Sequence, residues 1–305
     1  MMLLMKYTLL YGTVMLLVAL GGMFSERSGI INIALEGIMV VGGLAGVLAT
    51  FALEGMAPVV IVVCSILAAG VAGMVYALLL AFASIKLKAD QTIGGTALNI
   101  LATAIAMVIA KRVNGTQSPK LNFVNGPFIF NVGDLTLNVF LPLGLVLLVG
   151  AYLILYKTRL GLRLRACGEH PQAADSAGIN VYRIRYIGVL FSGLLGGIGG
   201  FAYIVPAVQS WNFEVGVAGM GFLALAVMIF GQWKPFRILF SALFFSVFKS
   251  MANIADSIPF LAQLHWPKEI YNMMPFVASM VVLALTSKKS RAPKAEGIPY
   301  DKGMR

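Results

Sequence analysis

Apolar residues in this chain run in blocks about as long as a bilayer crossing, separated by short polar stretches. Nine hydrophobic segments are legible, at 7–24, 30–53, 58–85, 92–111, 138–156, 184–206, 216–232, 236–253 and 271–287. A helix needs about 20 apolar residues to cross a hydrocarbon core about 30 Å thick. Backbone in lipid must also satisfy its own hydrogen bonds, which leaves helices or closed barrels. The ten-residue alternating segments of a transmembrane barrel are not visible. The pattern predicts an all-α polytopic membrane protein of about 8–10 transmembrane helices. Residues 1–287 are expected to form a single transmembrane domain. Residues 288–305 are polar, basic and Pro-containing, and are expected to be a disordered cytoplasmic tail.

Composition agrees: of 305 residues 59% are hydrophobic and only 11% charged, with mean hydropathy +0.89. A soluble domain carries about 25% charged residues. The net charge of +11 does not point to nucleic acid, because the basic residues sit at span ends. The segment 157–185 and the tail each carry six Lys or Arg, and Lys86–Leu87–Lys88 and Lys234–Pro235–Phe236–Arg237 are short basic runs. All four fall on one side if spans three to nine alternate, and that side should be cytoplasmic. Loops 112–137, 207–215 and 254–270 then face outward. So does the N-terminus, unless a broken or re-entrant element between Phe24 and Gly37 changes the parity. The loop 254–270 carries Asp256, His265, Trp266 and Glu269. These outer loops either contact an external delivery protein or simply connect spans.

Glycine is frequent in the spans, notably Gly42–Gly43, Gly70, Gly73, Gly193, Gly196–Gly197 and Gly199–Gly200. Small residues let helices approach closely in lipid, where packing drives association. Trp211 and Trp233 read as interface anchors.

Several polar residues lie at membrane depth. Asn32 and Glu36 are four apart, on one helix face, just after Glu26 and Arg27. An ionisable group there must face protein or water. Glu36 is therefore either a pathway residue or a structural hydrogen-bonding group. Asp90, Gln91, Thr92, Thr96 and Asn99 open the fourth span, and Gln91 or Thr92, Thr96 and Asn99 share a face. Amides and hydroxyls suit an uncharged solute with several hydrogen-bonding groups; polar contacts between helices are the competing reading. Asn32, Glu36, Gln91, Thr92, Thr96 and Asn99 are the candidate pathway residues.

The remaining feature is a compact polar segment between spans, Gly168 to Tyr186, approached by Lys157, Arg159, Arg163 and Arg165. A docking site for a soluble cytoplasmic partner accounts for it. No chemistry-bearing motif competes. There is no GxxxxGK[ST] phosphate loop, no HExxH and no GxSxG. Cys64 and Cys167 give neither metal spacing nor a disulfide framework. No catalytic residues and no metal site are expected.

Phe24–Gly46 (FSERSGIINIALEGIMVVGGLAG), Asp90–Ala102 (DQTIGGTALNILA) and Gly168–Gly200 resemble the permease subunits of ATP-binding-cassette importers. The branch they resemble handles branched-chain amino acids, simple sugars and nucleosides. The Ser-Glu-Arg-Ser-Gly and Leu-Glu-Gly forms are most similar to its nucleoside or simple-sugar group. The resemblance implies a prokaryotic plasma-membrane subunit that binds no cofactor, with ATP and Mg held by a separate cytoplasmic ABC ATPase. It further implies a second permease in a heterodimer, an extracellular or periplasmic substrate-binding protein, contact with membrane lipid, and no nucleic acid. Gly168, Glu169, His170, Ala174, Asp175 and Gly178 would form the coupling helix, with His170 replacing the more usual Asn. Two other classes remain distinguishable. A secondary transporter would use Glu36 or Asp90 as an ion relay, and a membrane-embedded enzyme would use Glu169, His170 and Asp175.

Overall fold

The computed structural model describes residues 2–133, 135–254, 268–286 and 291–302. Its helices are α1 (Met2–Arg27), α2 (Leu35–Ala52), α3 (Pro58–Ala81, extended by a π-helical turn to Lys86), α4 (Gln91–Asn114), α5 (Phe140–Lys157), α6 (Arg159–Glu169), α7 (Pro171–Ser176), α8 (Val181–Ile204), α9 (Met220–Phe230), α10 (Pro235–Ile254) and α11 (Lys268–Thr286). Among the described residues, seven helices are long and apolar enough to cross a membrane. The chain is a multi-pass membrane protein.

Three of the nine expected spans differ from expectation; one is that at 271–287, where α11 forms but is not among the seven helices apolar enough to cross. The segment at 30–53 becomes helical only at Leu35, after an irregular stretch from Ser28 to Ala34. The segment at 216–232 yields only α9, 11 residues long, which rises about 16 Å and covers about half the hydrocarbon core. Glycine sets the start of α9: Gly216 (φ 60°) and Gly219 (φ 76°) take backbone conformations that side chains disfavour.

The loops expected to face outward hold two small antiparallel ribbons that the hydrophobic pattern did not announce. β1 (Lys120–Asn122) pairs with β4 (Ser210–Asn212), joining the loop 112–137 to the loop after α8. β2 (Ile129–Val132) and β3 (Leu135–Asn138) form a hairpin. The loop residues Asp256, His265 and Trp266 lie outside the described residues.

At the centre stands α8, packed against α1, α2 and α3. Its glycines are where neighbouring backbones touch. A methyl group at Gly197 would lie 2.3 Å from the Ala69 carbonyl oxygen of α3, and one at Gly200 would lie 2.0 Å from the Met39 carbonyl oxygen of α2. The spacing of Gly193, Gly196, Gly197 and Gly200 thus serves three-way helix packing.

The basic segments expected on the cytoplasmic side meet at one end. There Arg27 reaches Glu169 (3.8 Å) and the Trp233 carbonyl (3.2 Å). Lys88 pairs with Asp301 at 2.5 Å. Residues 291–302, expected to be disordered, do lack helix and strand but are packed: Ala295 and Tyr300 are buried. The composition is that of a linker, yet Ala295, Tyr300 and a positive-φ turn at Gly297 give it groups to seat.

Candidate functional site

The helix break between α1 and α2 gathers three of the six candidate pathway residues. Helices cannot stop inside a membrane without stranding backbone groups, unless protein supplies partners. Here the partners are amides. The Gln91 side-chain oxygen accepts from the Ile31 N–H at 2.7 Å. Asn99 bridges the break: its oxygen accepts from the Gly37 N–H (2.8 Å) and its amide donates to the Ile33 carbonyl (2.9 Å). Asn32 donates to the Ser192 hydroxyl of α8 at 2.7 Å. All three side chains are buried. Among the described residues, Asn32 Oδ1 and Gln91 Nε2 are left without a protein partner.

Glu36 has a different task. It lies in the first turn of α2, and its two carboxylate oxygens accept from the N–H groups of Gly219 (2.8 Å) and Gly221 (2.7 Å). A carboxylate there satisfies the open amides of the α9 N-terminus and the positive end of its dipole. The ammonium of Lys249 on α10 interacts with it electrostatically. Glu36 thereby ties α2, α9 and α10 together inside the membrane, as expected for a half-helix buried in protein.

Thr92 and Thr96 separate from this group. Both are exposed on the outer surface of α4, and the Thr96 hydroxyl bonds only back to the Thr92 carbonyl (2.8 Å). Asp90 caps α4, accepting from Thr92 and Ile93 N–H groups at 2.8 and 2.9 Å. The face shared on paper by all of these residues is thus split, with the amides turned to the break and the hydroxyls turned outward.

On the side expected to be cytoplasmic the polar segment forms two short helices, α6 and α7. His170 (φ −145°) breaks them apart, and Pro171 starts the second. Thr158 caps α6 and Asn180 caps α8. The candidate coupling residues divide by direction. Gly168 and Ala174 are buried, and a methyl group at Gly168 would sit 2.4 Å from the Arg27 carbonyl oxygen. Glu169 turns toward Arg27. Asp175 is half-buried and lies 4.0 Å from Lys302. His170 and Gly178 are exposed, together with Gln172, Ala173, Ser176 and Ala177. Gly178 (φ 80°) ends the turn, with open space where a side chain would project. The result is an exposed polar and small-residue face, joined to α1 through Glu169 and Gly168. Cys167, one residue before, is fully buried, and burial pushes its thiol up to about 11.

Sequence reasoning missed three participants. Arg27 joins α1 to the coupling segment, and Trp233 donates to Glu26 at 2.5 Å from a buried position rather than from the lipid interface. Arg185, counted as one basic residue among six, is buried inside α8. The Glu26–Arg27 dipeptide at the end of an apolar run was the available signal for the first two.

Against known proteins, residues 4–285 match the family described as branched-chain amino acid transport system / permease component. The nucleoside ABC transporter permease protein NupC of Lactococcus lactis is 39% identical over 307 residues, covering 96% of this chain and 95% of that protein. The guanosine ABC transporter permease protein NupQ of Bacillus subtilis is 39% identical over 316 residues, covering 98% and 96%. A second L. lactis protein, nucleoside ABC transporter permease protein NupB, is 30% identical over 200 residues, covering 62% and 53%. No solved structure matches the chain. The chain belongs to the permease family of branched-chain amino acid transport systems.

Proposed function

We propose that this chain is a permease subunit of an ABC importer for nucleosides, working in a prokaryotic plasma membrane. The observation that carries the reading is the 39% identity, over nearly the whole length of both chains, to permeases named for nucleosides and for guanosine. The match to two differently named permeases of one organism, NupC and NupB, supports a heterodimer with a sister chain.

The energy source lies elsewhere. A two-state gate moves uphill only when a ligand binds one state better than the other. In this reading ATP and Mg sit on a cytoplasmic ATPase that grips α7 through Gln172, Ala173, Ser176 and Ala177. Glu169 passes the displacement to Arg27 and so to α1. Gly168, His170, Ala174, Asp175 and Gly178 give the coupling segment its shape. Substrate arrives from an external binding protein. Thr92 and Thr96 line the pathway where the sister chain closes against α4, while Asn32, Gln91, Asn99 and Glu36 hold the helix break and the half-helix that change shape. This chain binds no cofactor.

The test is uptake by cells lacking their own nucleoside importers and supplied with this chain, its sister permease, ATPase and binding protein. Labelled guanosine, adenosine, uridine and ribose are offered singly. Saturable nucleoside uptake that disappears when the ATPase is inactivated is the expected result. Ribose uptake alone would shift the cargo to simple sugars. Uptake that follows an ion gradient without the ATPase would overturn the class.

A further inference from the structure

Residues 291–302 bond to both of the elements whose relative movement transport requires. The Ala295 N–H donates to the Gly168 carbonyl, in the last turn of α6, at 2.8 Å. Two residues on, the Gly297 N–H donates to the Gly29 carbonyl, in the break between α1 and α2, at 3.2 Å. Glu296, between them, lies close enough to Glu26 at the end of α1 to interact with it electrostatically. The Ile298 carbonyl then accepts from the buried guanidinium of Arg185 on α8 at 3.0 Å. Tyr300 is buried against Tyr182, ring centres 5.3 Å apart. Asp301 and Lys302 finish the run on Lys88, before α4, and on Asp175 of α7.

We propose that this segment is a strap that carries displacement of the coupling helices to the helix break. Ala295 and Gly297 sit in one turn, closed by the Glu296 N–H to the Pro293 carbonyl and the Ile298 N–H to the Ala295 carbonyl, so the carbonyls of Gly168 and Gly29 are held by N–H groups two residues apart on that turn. A shift of α6 and α7 either drags the break with it or tears the strap from one side. The seating of the strap is specific. Gly297 has φ 76°, and a methyl group there would lie 2.8 Å from Ile31 Cδ1. Gly29 has φ 95°, and a methyl group there would lie 2.9 Å from the Arg185 guanidinium. Arg185 connects these contacts. It is a charge inside a spanning helix, its Nε and Nη2 lack partners among the described residues, and the strap's carbonyl bonds it. A charge so placed is costly unless protein bonds it, so loss of the strap is felt in α8 as well as in the break.

This inference rests on the reading that α6 and α7 dock an ATPase, so the experiment has one arm that does not. Two variants are compared with the full-length parent, Gly297→Val, which clashes with Ile31, and Tyr300→Ala, which unseats the end. In the purified chain, amide hydrogen exchange is measured at residues 28–34 and 166–178. Both regions should exchange at least about fivefold faster in each variant, the lower end of coupling between sites. In the reconstituted importer, nucleoside taken up per ATP hydrolysed should fall by a similar factor, with the yield of assembled complex unchanged. Unchanged exchange in both regions would overturn the strap whatever the cargo. Faster exchange in one region alone would make the segment a local brace and also overturn it. Uptake and hydrolysis falling together, at an unchanged ratio, would count against transmission. If Gly297→Val fails to fold, Tyr300→Ala carries both arms. A parent importer that takes up no nucleoside would undermine the proposed cargo and leave the exchange result standing.

Discussion

Polar residues are used in two opposite ways at the two regions the sequence singled out. At the helix break, Asn32, Gln91 and Asn99 are buried and turned onto neighbouring backbone and side chains. At α7, Gln172, Ser176 and Gly178 are exposed, and the Ser176 hydroxyl bonds only within its own helix. The first group repairs a discontinuity the membrane would otherwise forbid. The second leaves a small-residue surface open for another protein. Substitutions should therefore fail differently, by loss of the fold at the break and by loss of coupling at α7.

The largest effect is expected for Asn99→Leu. It strands the Gly37 N–H and the Ile33 carbonyl at membrane depth, each worth about 1–3 kcal/mol when buried without a partner. The variant should lose about 4 kcal/mol of stability, read as a collapse in the yield and unfolding midpoint of detergent-purified protein. A well-folded Asn99→Leu protein with altered substrate affinity would instead place Asn99 on the pathway. Glu36→Gln belongs with it. The amide can accept with only one of its two heads, so either the Gly219 or the Gly221 N–H goes unpaired. About 2–3 kcal/mol should be lost.

Next is Ala177→Trp. Ala177 is exposed just after α7, and bulk there adds no strain, unlike substitution at Gly178, whose φ of 80° disfavours any side chain. Uptake should fall about 100-fold, the equivalent of about 2.8 kcal/mol of docking energy, while the unfolding midpoint of the isolated chain stays put. A parallel fall in midpoint would remove the contrast with Asn99.

These contrasts were only partly legible in the sequence. The apolar blocks announced the spans, and the glycine spacing announced close packing, because both follow from lipid as solvent. The break was foreseen as a parity problem between Phe24 and Gly37, since Ser-Gly-Ile-Ile-Asn interrupts an apolar run. Its partners were not, because Ile31 meets Gln91 across 60 residues of chain and nothing local encodes that pairing. Spacing also put Thr96 and Asn99 on one face of α4. In the folded chain the break covers Asn99 and leaves Thr96 outside. The packing of residues 291–302 was not legible for the same reason. Their composition is that of a solvated linker, while their seat is built by Gly29, Gly168 and Arg185 from far earlier in the chain.

A smaller effect separates the hydroxyls from the amides on α4. Thr96→Val is close to isosteric and removes a bond made only to the helix's own Thr92 carbonyl. Stability should change by less than about 0.5 kcal/mol. If the exposed face of α4 borders the pathway, the concentration for half-maximal uptake should rise about threefold, the modest loss of one hydrogen bond to a solute. An unchanged uptake curve would assign that face to lipid and take Thr96 off the pathway.

The smallest effect lies where the two regions meet, at Glu296. Burial raises its carboxyl above the ordinary 4.5, and the nearby Glu26 and the charge of Arg27 pull it back only in part. A carboxyl whose folded value lies above its free value favours the packed state most when protonated. Its contribution is complete below the free value and is lost as pH rises through the folded one. Seating of residues 291–302 should therefore loosen as pH rises above the ordinary carboxylate range. Protection of the Ala295 and Gly297 amides, corrected for intrinsic exchange at each pH, would record this. Glu296→Gln stays neutral throughout, so its protection should no longer fall with pH by way of this group. If parent and variant gave the same slope, Glu296 would be a bystander.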